Sequence, residues 1–415
     1  MVRPELDDRV ILNAVLFGHG SHEAAWRSPG MPATAPLELS HWLECARVAE
    51  ATGFDGLFLG DILCLQDRPE HHPPETLDPL MVLAALAGAT QRLRLTGTAS
   101  TSFNHPYHLA RRLLTLSHLS GGRAGWNIVT SSYPQEAALF GWDAMPPTAE
   151  RYARAEEVVS AVKALWSSWD GVARQADKDS GRWLSTAPPE VQLSGRFGRI
   201  DGALNLSPAP YGRPLLAQAG SSPEGMRFAA RHADQVFTVQ SEIEGAKAFR
   251  REIHRLAKEA GRSPEEICVL PGLVPFVAET RGEAEAQLEA LTERVGMDHI
   301  LRKLERFTGL SLAGHDPDTP LPFETGALRG NDFSNSRAHL LIDHAQREGL
   351  TLRQLAARFA AGRGHLLVVG TGRDVAERMR EWVDAGAADG FNVMAPLLPS
   401  GLQSFAVQVM PHLRR

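Results

Sequence analysis

The sequence predicts an α/β fold, a closed (β/α)8 TIM barrel, and three observations predict it. Eight short apolar runs are bounded by turn residues, amphipathic helical patterns lie between them, and 415 residues suit one barrel with additions. Apolar residues make up 43% and charged residues 22% of the chain, the balance of a packed globular protein rather than a disordered one.

The strand-like runs fall at 11–17, 56–61, 93–100, 125–130, 214–220, 235–240, 268–278 and 391–395. Helical patterns follow over 39–52, 79–90, 109–119, 149–169, 224–233, 242–260, 283–295 and 373–385. The pattern from 149 opens with acidic residues and sets Val158, Val159, Val162, Leu165 and Trp166 on one stripe, so that face turns inward. Two segments interrupt the rhythm. Residues from about 170 to 205 are rich in Gly, Ser and Pro with short apolar alternations, which predicts a loop carrying a small hairpin. Residues from about 297 to 364 contain the stretch GHDPDTPLPFETG and then a helical pattern over 336–360. There is no internal repeat, low-complexity tract or linker, so residues 1–415 are expected to form one barrel domain whose two insertions shape the entrance to a site.

Charge narrows the range of partners. The chain holds 43 Lys plus Arg against 49 Asp plus Glu, and the net charge of −6 is spread along it with no basic patch, which argues against nucleic acid and anionic membranes. The start MVRPELDDRV lacks an apolar signal core, and no stretch approaches the ~18 apolar residues of a membrane span, so a cytoplasmic protein is expected. Cys45, Cys64 and Cys268 are odd in number and widely spaced, which suggests neither a disulfide framework nor a zinc site. Cys64, just past a strand end, is either a small hydrophobe or part of a pocket lining.

In a barrel the reactive groups gather where the strands end. Here the ends offer His19 and His22, then Asp61, Thr101 and Ser102, then Asn127, Thr130, Ser131 and Ser132, and finally Ala219-Gly220-Ser221-Ser222. Hydroxyls and small residues dominate, which suits a polar, phosphate-bearing cofactor better than hydrolysis or metal chemistry. Amide groups and two hydroxyls at Ser221 and Ser222 would hold a phosphate where a helix begins. Equally, Ser222 can be the N-cap of that helix, with Glu224 in its first turn. Asp61 can face the pocket or bond turn amides, and Tyr152 can simply pack on the barrel. His22-Glu23 is half of a zinc-protease helix, but Trp26 stands where the second His would be. His71-His72 read as a solvated pair, since no carboxylate or Cys stands at ligand spacing, and no metal is expected. Gly18-His19-Gly20 and Gly370-Thr371-Gly372 are too short for a dinucleotide fingerprint, and there is no G-x-S-x-G elbow.

Seven segments in order carry a resemblance: HEAAWRSP at 22–29, ATGFDGLFLGD at 51–61, STSFNHPYHLARRLLTLSHLSGGRAGWNIVTS at 100–131, ERYARAEEVV at 150–159, QAGSSPEG at 218–225, DGFNVMAP at 389–396 and VMPHLR at 409–414. Together they resemble the bacterial luciferase-like flavin-dependent monooxygenases, in the branch of the nitrilotriacetate, EDTA, dibenzothiophene sulfone and long-chain alkane monooxygenases. The resemblance implies a TIM barrel that borrows FMN as FMNH2 from a separate NAD(P)H:flavin reductase, with O2 as co-substrate. A flavin C4a-peroxide would then oxygenate a small or medium organic substrate, and the protein would work as a homodimer or homotetramer. Carried over by motif, Asp61 and Thr101 would meet the edge of the isoalloxazine, Asn127 and Ser131 the ring and ribityl chain, and Tyr152, Ser221 and Ser222 the phosphate. His19 and His315 would be the catalytic candidates for acid–base or peroxide-stabilising work, the alternative being that each lines the pocket or faces solvent. Two other readings stand beside this one: an F420-dependent oxidoreductase on the same barrel, and a flavin-binding protein without turnover. The succession GWNIVTS and ERYA favours the FMN branch.

Overall fold

The computed structural model describes residues 10–65, 72–312, 314–320 and 335–413. His71 and residues 321–334 of the second insertion lie outside the described residues. Eleven strands occur among them: β1 (Ile11–Leu16), β2 (Gly56–Leu59), β3 (Arg94–Ser100), β4 (Ala124–Val129), β5 (Val191–Gly195), β6 (Gly198–Gly202), β7 (Leu215–Gln218), β8 (Gln235–Thr238), β9 (Cys268–Val277), β10 (Leu366–Gly370) and β11 (Gly390–Val393). Eight of them close a parallel barrel in the order β1-β2-β3-β4-β7-β8-β9-β11, and β11 pairs back onto β1. The TIM barrel and all eight expected barrel strands are present.

The long β9 explains the strand that sequence reading missed. Its first half, Cys268 to Pro271, pairs with β8, and its second half, from Leu273 to Val277, pairs with β10. The apolar run HLLVVG is thus a ninth parallel strand. It follows closely on a helix, Leu352–Gly362, past the end of the pattern expected over 336–360, and belongs to none of the expected elements. The single pattern expected over 336–360 is two helices, Asn335–Arg347 and Leu352–Gly362. They part where Gly349 takes a φ of 60°, and Thr351 caps the second through its bond from the Gln354 amide. A further helix, Met297–Thr308, opens the insertion that was expected to be mostly loop. The first insertion carries the expected hairpin, β5 paired antiparallel with β6.

Alternation along the strands builds two cores. Outward residues Leu12, Ala14, Leu16, Leu57, Leu59, Leu95 and Leu216 pack with helix residues such as Trp42, Leu83, Leu113, Val159 and Trp382. The intervening residues point into the barrel. Phe58 of β2 meets Phe237 of β8 edge-to-face at 5.3 Å although the strands are not neighbours, which only the interior permits. At the N-terminal end the lumen is plugged by Ile11, Cys268 and Leu270. Above them Asn13 donates to Asn392 (3.0 Å) and Gln235 (3.2 Å), and Asn392 donates to the Leu270 carbonyl. This layer is paired within itself, as burial of amides demands. Three cysteines form no disulfide, and burial pushes the Cys45 thiol up to about 12. Among the described residues no helix is long and apolar enough to cross a membrane.

Ring closure depends on Gly390, where a Cβ would stand 2.1 Å from the Ile11 carbonyl oxygen. A backbone atom cannot swing aside as a side-chain tip does. Gly390→Ala is therefore expected to cost about 1–3 kcal/mol by overpacking, read as a thermal midpoint lowered by a few degrees.

Candidate active site

The C-terminal ends of β3 and β4 are laced together by short polar bonds. Thr101 donates from its amide (2.9 Å) and its hydroxyl (3.1 Å) to the Val129 carbonyl, and the Ser102 hydroxyl donates to the Thr130 carbonyl at 2.7 Å. The Ser100 and Ser131 hydroxyls lie 2.9 Å apart. Ser131 holds a φ of 53°, a left-handed conformation that costs free energy in a non-glycine residue and must be imposed by its surroundings. Arg151 imposes it. Its guanidinium donates to the Ser131 carbonyl, to the Thr130 hydroxyl (3.3 Å), to the Thr148 hydroxyl (2.9 Å) and to the Pro146 carbonyl (3.0 Å).

Asn127 lies within the barrel below this rim and is 4% exposed. Its Nδ2 donates to the Thr98 hydroxyl at 2.8 Å, and that hydroxyl donates to the Leu59 carbonyl. Its Oδ1 is buried with no partner among the described residues. An orphaned buried acceptor is costly unless a ligand supplies an N–H or O–H. Asp61 stands just past the C-terminal end of β2. Burial, with help from the Asp78 and Glu136 carboxylates, pushes its carboxyl up to about 6, against an opposing bond from the Ile62 amide. Glu136 itself is buried and accepts from the amides of Leu63, Ser132 and Tyr133, so it ties the loop after β2 to the loop after β4.

On the β7 side the expected phosphate residues come together. Tyr152 sits in the first turns of the helix Thr148–Trp166, and its hydroxyl accepts from Gln218 Nε2 at 3.1 Å. Burial pushes this phenol up from its ordinary value, so it keeps its proton. A Cβ on Gly220 would stand 2.3 Å from the Tyr152 hydroxyl, and one on Gly225 would stand 2.7 Å from it. Glycine at both positions lets the phenol lie against the backbone that opens the helix Pro223–His232. Ser222 caps that helix by accepting from the Gly225 amide at 3.1 Å, as the capping reading expects, while the Ser221 hydroxyl has no bond to a described residue. Gln218 escaped sequence reading. The signal was a polar residue at an outward strand position, where Leu216 two residues earlier is apolar.

The candidate histidines lie in other loops. His19 is buried, and its Nε2–H donates to the carbonyls of Pro32 (3.2 Å) and Ala33 (3.0 Å), so it anchors the loop that follows β1. His315 is half-buried beyond the helix Met297–Thr308, its amide donating to the Leu312 carbonyl. His22, set aside at first as a failed metal ligand, is 2% exposed. Its Nδ1 accepts from the Ala24 amide at 3.1 Å, and its Nε2 is buried without a partner. Burial lowers its pKa to about 4, with the Glu23 carboxylate opposing the shift. Among the described residues no group of three or more His, Cys, Asp or Glu is placed to hold a metal ion.

Residues 21–389 match the family described as luciferase-like monooxygenase. The chain is 38% identical to N-acetyl-S-(2-succino)cysteine monooxygenase of Bacillus subtilis over 98% of its length and 92% of that protein. It is also 38% identical to nitrilotriacetate monooxygenase component A of Aminobacter aminovorans, covering 95% of this chain and 90% of the relative. Among solved structures, a riboflavin lyase crystallised with a modified FMN and its substrate riboflavin superposes with a TM-score of 0.82 at 29% identity, over 98% of this chain and 91% of that one.

The His22 shift has a direct consequence for stability. An unfolded histidine titrates near 6.5 and the folded one near 4, so the folded chain binds fewer protons between those values. Stability due to the neutral imidazole is full above about pH 6.5 and is lost as pH falls toward 4, about 3 kcal/mol in all. Denaturant unfolding at stepped pH is expected to show a His22→Phe variant with a flatter profile across that window.

Proposed function

The chain belongs to the luciferase-like monooxygenase family, and from that premise we propose that it is the oxygenase component of a two-component system, using FMNH2 from a separate NAD(P)H:flavin reductase. The single observation that carries the cofactor is the bed at the start of the helix Pro223–His232: two glycines, a protonated phenol against them and the Ser221 hydroxyl. Those groups fit a phosphate, because they are donors at the positive end of a helix. The orphaned Oδ1 of Asn127 fits the same molecule, since ribityl hydroxyls and the ring N–H are donors. The Aminobacter relative is named as component A of its monooxygenase, which supports a separate supplier.

Reduced flavin, once bound, supplies the electrons with which O2 is activated and one oxygen atom enters the organic substrate. This chain binds and orients. In the proposed arrangement Tyr152, Ser221 and Ser222 hold the phosphate, Asn127 and Ser131 lie along the ribityl chain and ring, and Thr101 and Asp61 meet the ring edge. A carboxyl near pKa 6 can accept a hydrogen bond when ionised or give one when protonated, so Asp61 suits a ring edge that offers both N–H and C=O groups. His19 is proposed for acid–base work through Nδ1, the nitrogen that carries the lone pair when Nε2–H is given to the loop carbonyls. His315 is proposed for the same task from the second insertion. The barrel and both insertions are proposed to act as one domain over 1–415.

Anaerobic titration with reduced FMN tests the reading. The wild type is expected to bind, and Tyr152→Phe and Ser221→Ala are each expected to weaken binding about tenfold, the loss of roughly one hydrogen bond to a charged group. Admitting oxygen to the loaded protein with substrate should then consume it. A chain that ignores reduced FMN and binds F420 would overturn the proposal.

A further inference from the structure

The barrel mouth has two sides. Candidate flavin contacts come from the ends of β2, β3, β4 and β7, while β9, β11 and β1 lie across the ring from β3, β4 and β7. His22 belongs to the second side. The segment that carries it is stitched to the end of β11: the Ser21 amide donates to the Ala395 carbonyl (2.9 Å), the Ser21 hydroxyl to the Met394 carbonyl (2.9 Å) and the His22 amide to the Pro396 carbonyl (3.3 Å). The stitch needs Gly20, whose φ of 145° favours glycine and whose Cβ would stand 2.2 Å from the Pro396 oxygen. Across from this segment the His22 ring meets Phe276 of β9 edge-to-face at 6.2 Å.

The tautomer follows from these contacts. Nδ1 accepts from the Ala24 amide, so in the uncharged ring the proton is on Nε2. That N–H is buried and has no acceptor among the described residues. It is a fixed donor, held in place by four hydrogen bonds, that nothing in the described chain uses. The next residue sets the local charge. The Glu23 carboxylate accepts from Lys303 (2.6 Å) and His299 (2.8 Å) of the helix Met297–Thr308. Lys303 is half-buried; partial burial lowers its pKa, Glu23 opposes that, and Arg363 and Arg306 are close enough to lower it further, so one carboxylate answers several cations. An open cleft of about 560 Å³ runs along the same helix, its charged lining three cations, Arg302, Lys303 and Arg306, against one carboxylate, Glu305, with His299 beside them. The second insertion therefore brings net positive charge up to the His22 side of the mouth.

We infer that His22 is a substrate-binding residue whose Nε2–H donates to a carboxylate oxygen of the organic substrate, opposite the flavin bed, with the Lys303 corner favouring anionic substrates. The inference rests on the monooxygenase reading for the word substrate, but the binding itself does not need flavin. A carboxylate suits the corner because it is anionic and accepts only, and it would complete the one bond His22 lacks.

Calorimetric titration with acetate, succinate and nitrilotriacetate, each against the flavin-free protein and the anaerobic complex with reduced FMN, tests it. At least one of the acids is expected to bind, its trialkyl or dialkyl ester to bind more than tenfold more weakly, and His22→Phe to weaken the acid more than tenfold while shifting the reduced-FMN Kd less than twofold. His22→Gln, which keeps an N–H donor, is expected to recover part of the loss and guards against a folding defect in the Phe variant. In histidine-labelled protein the Nε2–H resonance of His22 should move when the acid is added. No binding by any of the three acids, equal binding of acid and ester, or an unchanged Kd in a folded His22→Phe protein would each overturn the inference. Failure of reduced FMN to bind the wild type would sink the flavin reading alone, since the flavin-free arm still reports on His22.

Discussion

Closure of the eight-stranded ring is the constraint on which the rest depends. A parallel barrel must bury its lumen, and every amide placed there must be satisfied from inside. The middle layer meets that demand by itself, through Asn13, Asn392 and Gln235. Toward the C-terminal rim, inside the barrel and on its outer face alike, the accounting stops balancing. Asn127 spends its Nδ2 on Thr98 and keeps an idle Oδ1, Gln218 spends its Nε2 on Tyr152 and keeps an idle Oε1, and His22 keeps an idle Nε2. These unsatisfied groups stand at the end where the strands of a barrel present their chemistry, which is where a fold can hold a cost that a ligand later removes.

The strands were legible because a barrel strand is short, apolar and bounded, and the helices because burial on one side writes a period of 3.6 into the chain. The segment 148–166 shows this well, with Val158, Val162 and Leu165 buried as their spacing requires. β10 was not legible, because four apolar residues and a glycine next to a helix carry no period that separates strand from helix. The second insertion failed for a related reason. Its helix Met297–Thr308 buries Ile300 and Leu304 against Leu341, Leu355 and Phe359 in a satellite core of its own, and only tertiary contact fixes that arrangement.

The site was legible as a set of residue types and less so as a set of roles. Position along the strands picked out Thr101, Asn127, Ser131 and the Gly220–Ser222 turn, Tyr152 came only with the family resemblance, and the structure links neighbours among them through bonds no spacing announces, such as the Arg151 guanidinium on the Ser131 carbonyl. His19 and His22 looked alike in sequence. Three residues of backbone path separate an imidazole that holds a loop by its Nε2–H from one whose Nε2–H is left over.

Ser222 posed a choice between cap and phosphate ligand, and hydrogen-bond chemistry removes the need to choose. A hydroxyl has one proton and two lone pairs. Capping uses a lone pair, since the Ser222 oxygen accepts from the Gly225 amide, and the O–H is left to point away from the helix it caps. Tyr152 is in the same state: its oxygen accepts from Gln218, and burial keeps the phenol protonated. A phosphate offers acceptors and needs donors. The bonds that hold the bed are therefore those that would orient its protons toward the proposed phosphate, so the contacts that serve the fold would serve the cofactor as well. Gln218 belongs in this account as a positioning residue, because it fixes the phenol oxygen from a strand position that would otherwise carry a Leu.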